Sequence, residues 1–256
     1  MPVGASASAG AIASAGAIAI APAGKTATAL AGSEWCSEGT VALSEDVCVA
    51  LPEGAIGKSV PLLIYLHGII PPKPPQPQKS KVLGIVAAAA KKHGFVALLP
   101  RGIRGIGPPA YVDWYAWPTS GGAYKKHAAG MVTNWLELRA NLESRLDYRF
   151  SRVWLAGSSN GAYFLSILAL RGDISVDAFA ALSGGARVGT ARPDATKSPF
   201  LVAYGSYDST KTDGKGLAAY LKSAGWPVTE REHRVDHGAK AEYLDDMVET
   251  FKRALE

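Results

Sequence analysis

A serine lies between two glycines in residues 157–161, which read Gly-Ser-Ser-Asn-Gly and fit the pattern G-x-S-x-G with Ser159 at the centre. An apolar run precedes this pattern, and apolar residues at helical spacing follow it. A strand, a sharp turn and a helix form the context in which a serine hydroxyl stands clear of the backbone and acts as a nucleophile. Gly157 and Gly161 leave room where strand and helix nearly collide. The alternative interpretation is a small-residue turn without chemistry.

A nucleophilic serine needs a base and an acid, and the last third of the chain offers both. Asp208 follows an apolar run, and its carboxylate can accept a hydrogen bond from an imidazole; Asp213 is the alternative acid. Aspartate is also a common turn residue without any catalytic role. His237 lies between the last predicted strand and the last predicted helix, and histidine titrates in the range that suits a general base. His233 falls within that strand by its pattern, so we predict the set Ser159, His237 and Asp208.

Apolar runs alternate with helical patterns along the rest of the chain, and they must position these side chains. The predicted strands are residues 41–43, 47–51, 60–66, 95–100, 153–157, 178–182, 200–205 and 228–235. The last of these is polar, and we expect it at an edge of the sheet. The predicted helices lie near residues 83–94, 131–146, 164–170, 217–225 and 244–255. This alternation predicts an α/β fold: a mostly parallel sheet with helices on both faces, an N-terminal antiparallel hairpin, and active residues at the carboxyl ends of the strands.

The order of these parts resembles the α/β-hydrolase family from about Val41 to the C-terminus, where the triad runs serine, acid, histidine. It is most similar to capless secreted esterases of the polyhydroxybutyrate depolymerase, feruloyl and acetylxylan esterase type. The resemblance implies a serine hydrolase that cleaves carboxylic esters through an acyl-enzyme. His67 and Gly68 resemble the family's H-G motif, which implies that the N–H groups of Ile69 and Asn160 form an oxyanion hole. His67 itself is expected to be structural.

The expected substrate follows from two loops. Residues 186–198 are too few for a helical cap, so we expect an open site suited to aryl, sugar-linked or polymeric esters. Trp114 and Trp117 lie in a long Gly- and aromatic-rich loop, residues 101–124. They are candidate substrate-binding residues that stack on an aryl or sugar group, or they form a small buried core.

Two other functions share parts of this pattern. A peptidase of the prolyl oligopeptidase type has the same fold and triad order, but it usually carries a propeller domain for which 256 residues leave no room. A non-catalytic hydrolase-like binding module usually lacks the serine or the histidine, and both are present here. The sequence has no Cys/His cluster, so we expect no metal and no cofactor. The net charge of +5 comes without a dense basic tract, so we expect no nucleic-acid partner. We also expect the protein to be a monomer.

Residues 1–32 consist almost entirely of Ala, Gly, Ser and Ile, with Lys25 as the only charge. We interpret them as a low-complexity leader or a remnant of an export segment, and residues 33–256 as one catalytic domain. Gly and Pro interrupt the segment, so we expect no membrane span. Cys36 and Cys48 either form a disulfide that ties the N-terminal hairpin or remain as buried thiols. We predict the disulfide, which implies an oxidising compartment and thus a secreted or periplasmic protein.

Overall fold

The computed structural model describes residues 33–55, 57–147, 149–186 and 191–256, so the leader predicted for residues 1–32 lies outside the described residues. Within these ranges the chain forms eight strands and five α-helices. The strands are β1 (Val41–Ser44), β2 (Val47–Ala50), β3 (Leu62–Leu66), β4 (Val96–Pro100), β5 (Val153–Ser158), β6 (Ala178–Leu182), β7 (Phe200–Gly205) and β8 (Val228–His233). The helices are α1 (Pro77–His93), α2 (Gly121–Leu146), α3 (Asn160–Arg171), α4 (Lys211–Ser223) and α5 (Ala241–Leu255).

All eight strands belong to one sheet, in the order β1-β2-β4-β3-β5-β6-β7-β8. The pairs β1–β2 and β2–β4 are antiparallel, and all the other pairs are parallel. The predicted fold class is therefore confirmed. The strand order reverses around β3, which lies between β4 and β5, and in such sheets ligands bind beyond the carboxyl ends of the strands at that reversal.

Each face of the sheet carries its own core because side chains alternate along the strands. In β3, Leu62, Ile64 and Leu66 pack with residues of α2, α3 and α4. Leu63 and Tyr65 point to the other face, where α1 and α5 cover them. Both cores hold the strand ends rigidly, and that rigidity positions the loops that leave the sheet.

All five α-helices begin earlier than the apolar pattern indicates, and the starts of α1 and α2 show why. Helix α1 begins at Pro77, which suits the first helical position because that position needs no N–H donor. Helix α2 begins at Gly121, where the Ser120 hydroxyl accepts a hydrogen bond from the N–H of Ala123 at 3.4 Å. The loop predicted over residues 101–124 therefore ends before Gly121, a correction that follows from this cap.

The connection between β6 and β7 forms no helix in its described parts, residues 183–186 and 191–199. A helical cap is not built there, in agreement with the expected open architecture. Among the described residues, no helix combines the length and the apolar character needed to cross a bilayer.

Cys36 and Cys48 form a disulfide, as predicted, with their Cα atoms 5.5 Å apart. Cys36 lies in the segment before β1 and Cys48 lies in β2. The bridge therefore joins that segment to the sheet and does not close the β1–β2 hairpin. The neighbouring Trp35 is buried, and its indole N–H donates to the carbonyl of Leu99 in β4 at 3.0 Å. The segment before β1 is thus fixed beneath the loop that leaves β3.

Candidate active site

Ser159 occupies the turn between β5 and α3 in a backbone conformation that few residues other than glycine adopt, with φ 53° and ψ −122°. The turn is tight enough to require its two glycines. A Cβ on Gly157 would lie 2.7 Å from the carbonyl carbon of Gly161, and a Cβ on Gly161 would lie 2.2 Å from the oxygen of Leu66. Such strain is typical of functional positions held by the surrounding fold. The turn therefore has the nucleophile-elbow geometry that the sequence predicts.

The imidazole of His237 lies between Ser159 and Asp208. Its Nε2 is 2.9 Å from the Ser159 Oγ, and its Nδ1 is 2.8 Å from the Asp208 Oδ1. Because a carboxylate only accepts hydrogen bonds, the proton belongs on Nδ1, which leaves Nε2 free to accept the hydroxyl proton. The structure brings these three predicted residues together in hydrogen-bonding order.

Asp208 is held by donors that sequence reasoning missed. Its side chain is fully buried, and its Oδ1 accepts hydrogen bonds from the N–H of Thr210 at 2.7 Å and from the Thr210 hydroxyl at 2.8 Å. Burial raises the pKa of Asp208, but the donors of Thr210 and His237 outweigh it and hold the pKa below its ordinary value. Asp208 therefore remains a carboxylate. Thr210 follows the acid by two residues, which is the spacing of an Asx turn and the signal that could have revealed it.

The loops that carry Asp208 and His237 cross at Gly205, the last residue of β7. A Cβ on Gly205 would lie 2.1 Å from the carbonyl oxygen of Val235, so only glycine permits this crossing. Two backbone hydrogen bonds stabilise the crossing. The N–H of Tyr207 donates to the carbonyl of Val235 at 3.1 Å, and the N–H of Ser206 donates to the carbonyl of His233 at 2.7 Å. Glycine at the end of β7 thus lets acid and base meet.

The two alternative candidates lie elsewhere. Asp213 is in the first turn of α4, where it accepts a short hydrogen bond from the Tyr163 hydroxyl. His233 ends β8, and its Nε2 is 2.6 Å from Asp246. Neither is in hydrogen-bond contact with Ser159 among the described contacts.

The loop after β3 carries the predicted oxyanion donor and is fixed by His67. The His67 side chain is buried between the rings of Trp35 and Trp117, each with its centroid 5.0 Å away. Its Nε2 accepts the N–H of Gly102 at 2.8 Å, so Nδ1 carries the proton and donates to the carbonyl of Gly68 in a short contact. Burial, which outweighs the bond to Gly68, lowers the pKa of His67 to about 4, and the ring is neutral.

This bond orients the peptide between Gly68 and Ile69. The C=O and N–H of a trans peptide point in opposite directions. With the Gly68 carbonyl held against His67, the N–H of Ile69 points away from that ring, and it donates to no acceptor among the described residues. The N–H of Asn160, the first residue of α3, is likewise outside the helical hydrogen bonds. Ile69 and Asn160 thus present backbone donors at the ends of the adjacent strands β3 and β5.

Trp117 does not line the site, contrary to the prediction that it stacks on substrate. Its side chain is only 1% exposed and packs against Trp135 and Phe164. Its indole N–H donates to the His67 carbonyl at 2.7 Å, and its backbone N–H donates to the Asn160 Oδ1 at 2.6 Å. The second interpretation, a buried core role, therefore applies to Trp117.

Trp114 remains accessible. It is half-buried and forms an edge-on pair with Tyr111, at 5.0 Å between ring centroids, and Tyr111 is 43% exposed. The next residue, Tyr115, pairs with Ile70 through two backbone hydrogen bonds of 2.9 and 3.1 Å. This pairing holds the aromatic loop beside the loop that leaves β3.

A cavity of about 200 Å³ opens directly beside Ser159. It is lined by backbone and side chains from the loops after β3 and β8, from the elbow and from the start of α1: Gly68, Ile69, Ile70, Gln78, Lys81, Val82, Ser158, Ser159, His237, Gly238 and Ala239. A larger cavity of about 780 Å³ lies along α2 at the far end of α3, and neither Ser159 nor His237 lines it. No group of three or more His, Cys, Asp or Glu side chains in the described ranges could hold a metal ion.

The strand order, the serine elbow after β5, the acid after β7 and the histidine after β8 define an α/β-hydrolase. The chain belongs to the esterase PHB depolymerase family, whose model matches residues 46–236. That match includes Ser159 and Asp208 and ends one residue before His237. Family membership makes the chain a serine ester hydrolase, and it favours neither the peptidase nor the binding-module alternative.

Solved structures share the fold. Esterase PE8 is 16% identical with a TM-score of 0.57, covering 81% of this chain and 97% of its own. Acyl-protein thioesterase 2 of Zea mays is 16% identical with a TM-score of 0.60, covering 82% and 99%. The carboxylesterase of Bacillus cereus is 15% identical with a TM-score of 0.57, covering 82% and 94%. At such identities the likeness concerns the fold alone. A comparison with curated protein sequences finds no match.

Proposed function

We propose that Ser159, His237 and Asp208 are the catalytic triad of a carboxylic ester hydrolase. The observation that carries the proposal is the continuous pair of contacts at His237, 2.9 Å to Ser159 and 2.8 Å to Asp208. His237 Nε2 takes the hydroxyl proton as the Ser159 Oγ attacks the ester carbonyl carbon. Asp208 keeps the imidazole in the required tautomer and stabilises the imidazolium that forms.

The carbonyl oxygen of the substrate becomes an oxyanion during this attack. The N–H groups of Ile69 and Asn160 are the proposed donors to it, and their free hydrogen-bonding capacity supports this role. Collapse of the tetrahedral intermediate breaks the C–O bond, and the leaving alkoxide takes the proton from His237. A water molecule then attacks the acyl-enzyme with His237 again as base, which releases the acid and restores the Ser159 hydroxyl.

An open site supports bulky substrates, namely aryl, sugar-linked or polymeric esters. The described part of the β6–β7 connection builds no cap, and Trp114 with Tyr111 offers an accessible aromatic edge on the loop beside Ile70. The proposed substrate-binding role is thus kept for Trp114 and withdrawn for Trp117. The disulfide supports a secreted or periplasmic location. The protein is proposed to act as a monomer.

A fluorophosphonate probe tests the nucleophile. We expect stoichiometric labelling of Ser159, complete loss of esterase activity, and loss of labelling in Ser159→Ala. The matched control is Ser158→Ala, which changes the neighbouring serine of the same turn and should still be labelled. Labelling at Ser158, or undiminished ester hydrolysis by Ser159→Ala, would contradict the proposal.

A further inference from the structure

The cavity beside Ser159 has a polar wall that the proposed reaction does not use. Gln78 and Lys81 form it from the first turns of α1, and both side chains are exposed. Residues three apart on a helix lie side by side on one face. The Gln78 amide and the Lys81 ammonium therefore border the same small space as the nucleophile.

Lys81 differs from the other lysines of α1 in its partners. Lys91 pairs with Glu53 at 2.7 Å, Lys92 pairs with Asp245 at 2.8 Å, and the buried Lys79 donates to the carbonyl of Glu34. Lys81 has no carboxylate within ion-pair distance among the described residues. Lys81 is thus exposed at the cavity without an ion pair, unlike the exposed Lys91 and Lys92 of the same helix.

The carboxylate of Asp236, in the loop after β8, does not neutralise Lys81. Asp236 precedes the proposed base, and it already forms a short ion pair with Lys240. Lys240 and, with a smaller effect, Lys81 lower the pKa of Asp236. Two ammonium groups facing one carboxylate leave a positive charge at the rim of the cavity.

Apolar side chains also line the cavity, together with Ser158, Ser159 and His237. The apolar residues are Ile69, Ile70, Val82 and Ala239. A ligand that spans the cavity therefore needs a short apolar spacer and an anionic end. A carboxylate fits that end because it accepts several hydrogen bonds, and lysine and glutamine supply donors.

We propose that Lys81 and Gln78 form a subsite for a carboxylate carried by the ester substrate. The inference rests on the proposed role of Ser159 as nucleophile. The carboxylate is carried either by the acyl part or by the alcohol part of the ester. In both cases it would bind to Lys81 and Gln78 in the same way. Esters with a short acidic arm are then the preferred substrates of this site.

The test measures kcat/KM by acid release in two matched pairs of small esters. Ethyl hydrogen succinate against ethyl succinamate probes the acyl side, and 4-acetoxybutanoate against 4-acetoxybutanamide probes the alcohol side. We expect the wild-type protein to favour the acid over the amide by about three- to fivefold in one pair, the range of an exposed charge pair. Raising the salt concentration should reduce this preference because the subsite is open to solvent.

Two variants make the measurement specific to the subsite. Lys81→Met keeps an unbranched side chain that lacks only the terminal ammonium position, so it removes the charge. The acid-to-amide ratio should then fall by the same three- to fivefold. The intrinsic reactivities of the two esters cancel when this ratio is compared between the two proteins. Lys91→Met makes the same change of net charge at the other end of α1 and should retain the wild-type ratio. Lys81→Glu should reverse the preference.

An acid-to-amide ratio that Lys81→Met leaves unchanged in both pairs overturns the subsite. So does an equal shift in Lys91→Met, because it would reflect the overall charge of the protein. Either result leaves the proposed function intact if Ser159→Ala still abolishes hydrolysis. Hydrolysis that survives in Ser159→Ala would instead contradict the proposed function itself.

Discussion

The indole N–H of Trp117 donates to the carbonyl oxygen of His67 across 2.7 Å, although the two residues are 50 positions apart in the chain. The backbone N–H of Trp117 also donates to the side chain of Asn160. One buried tryptophan therefore joins the loop after β3 to the start of α3, the two segments that carry the proposed oxyanion donors. Their relative position depends on this residue, and oxyanion stabilisation depends on that position.

Trp117→Phe should lower kcat with little change in KM, because the loss falls on a geometry used in the transition state. The phenyl ring keeps most of the apolar packing and removes the donor to His67. We expect a decrease of about tenfold, less than the loss on deleting an oxyanion donor outright. Steady-state kinetics on a soluble ester measures it, with the thermal midpoint recorded in parallel.

The matched controls for this variant are Trp154→Phe and Trp226→Phe. Both tryptophans are buried, and their indole nitrogens have no hydrogen-bond partner among the described residues. They should lose some stability and keep kcat. If Trp154→Phe lowers kcat as much as Trp117→Phe, the hydrogen bond to His67 is not the cause.

Asp208→Asn should preserve the fold and reduce kcat by several orders of magnitude, on the order of 10⁴-fold as in other serine triads. Asparagine presents an amide to the His237 Nδ1 and favours the wrong tautomer. The control Asp213→Asn removes a charge from the same region, where the carboxylate accepts from Tyr163 rather than from His237. Kinetics of both variants on one ester decide between them, and a larger loss in Asp213→Asn would mean that the acid is misassigned.

His67 should make the protein less stable as the pH falls. Its pKa is lowered from 6.5 to about 4 in the folded protein, so the unfolded chain binds the proton more readily. The resulting stability is fully present above pH 6.5, and it is lost as the pH falls through that value toward 4. By pH 5 the loss amounts to about 2 kcal/mol of unfolding free energy.

Urea unfolding at pH 7.5 and pH 5 measures this effect. His67→Asn removes the titration and keeps a donor for the Gly68 carbonyl, so its unfolding free energy should fall by about 2 kcal/mol less than that of the wild type. The comparison concerns the pH dependence and does not require equal stability at pH 7.5. The same decrease in both proteins would show that His67 does not cause it.

Local patterns were sufficient for the fold class and for the residues that meet at His237. Ser159 and Asp208 each follow a strand whose apolar run is visible in the sequence, whereas His237 follows a polar strand that is recognised by its place before the last helix. Parallel strands bring their carboxyl ends to one edge of the sheet. The contacts of Trp117 could not be predicted in this way. They join segments that are 43 and 50 residues apart in the chain. In addition, the sequence of a glycine-rich loop does not indicate whether its tryptophan binds substrate or packs in the core.

The position of Gln78 and Lys81 at the cavity could not be predicted from the sequence for a different reason. The apolar pattern begins at Leu83, whereas α1 begins at Pro77. The first turns of this helix are polar because they border the cavity rather than the core, so periodicity does not reveal them. A helix that extends past its apolar stripe toward a catalytic edge is the signal that could have identified them.

Trp114 and Tyr111 form an accessible aromatic pair at the open rim. Trp114→Ala should reduce kcat/KM for feruloyl and other aryl esters several-fold more than for acetate esters, since one stacked ring is worth roughly 1 kcal/mol. Kinetics on methyl ferulate and methyl acetate, which share the same alcohol, measures the difference. The control Trp117→Phe alters the buried ring and should affect both esters alike.

The same openness implies that hydrolysis begins without a lag when the ester is presented at a lipid interface. A lid that must open would instead give a marked rise in activity once long-chain triglyceride forms an emulsion. Progress curves above and below the solubility limit of a triglyceride distinguish the two. Strong interfacial activation would overturn the open rim because it requires a lid over Ser159. Equal losses on aryl and acetate esters in Trp114→Ala would overturn the aromatic subsite because they would show that Trp114 does not contact the aryl group.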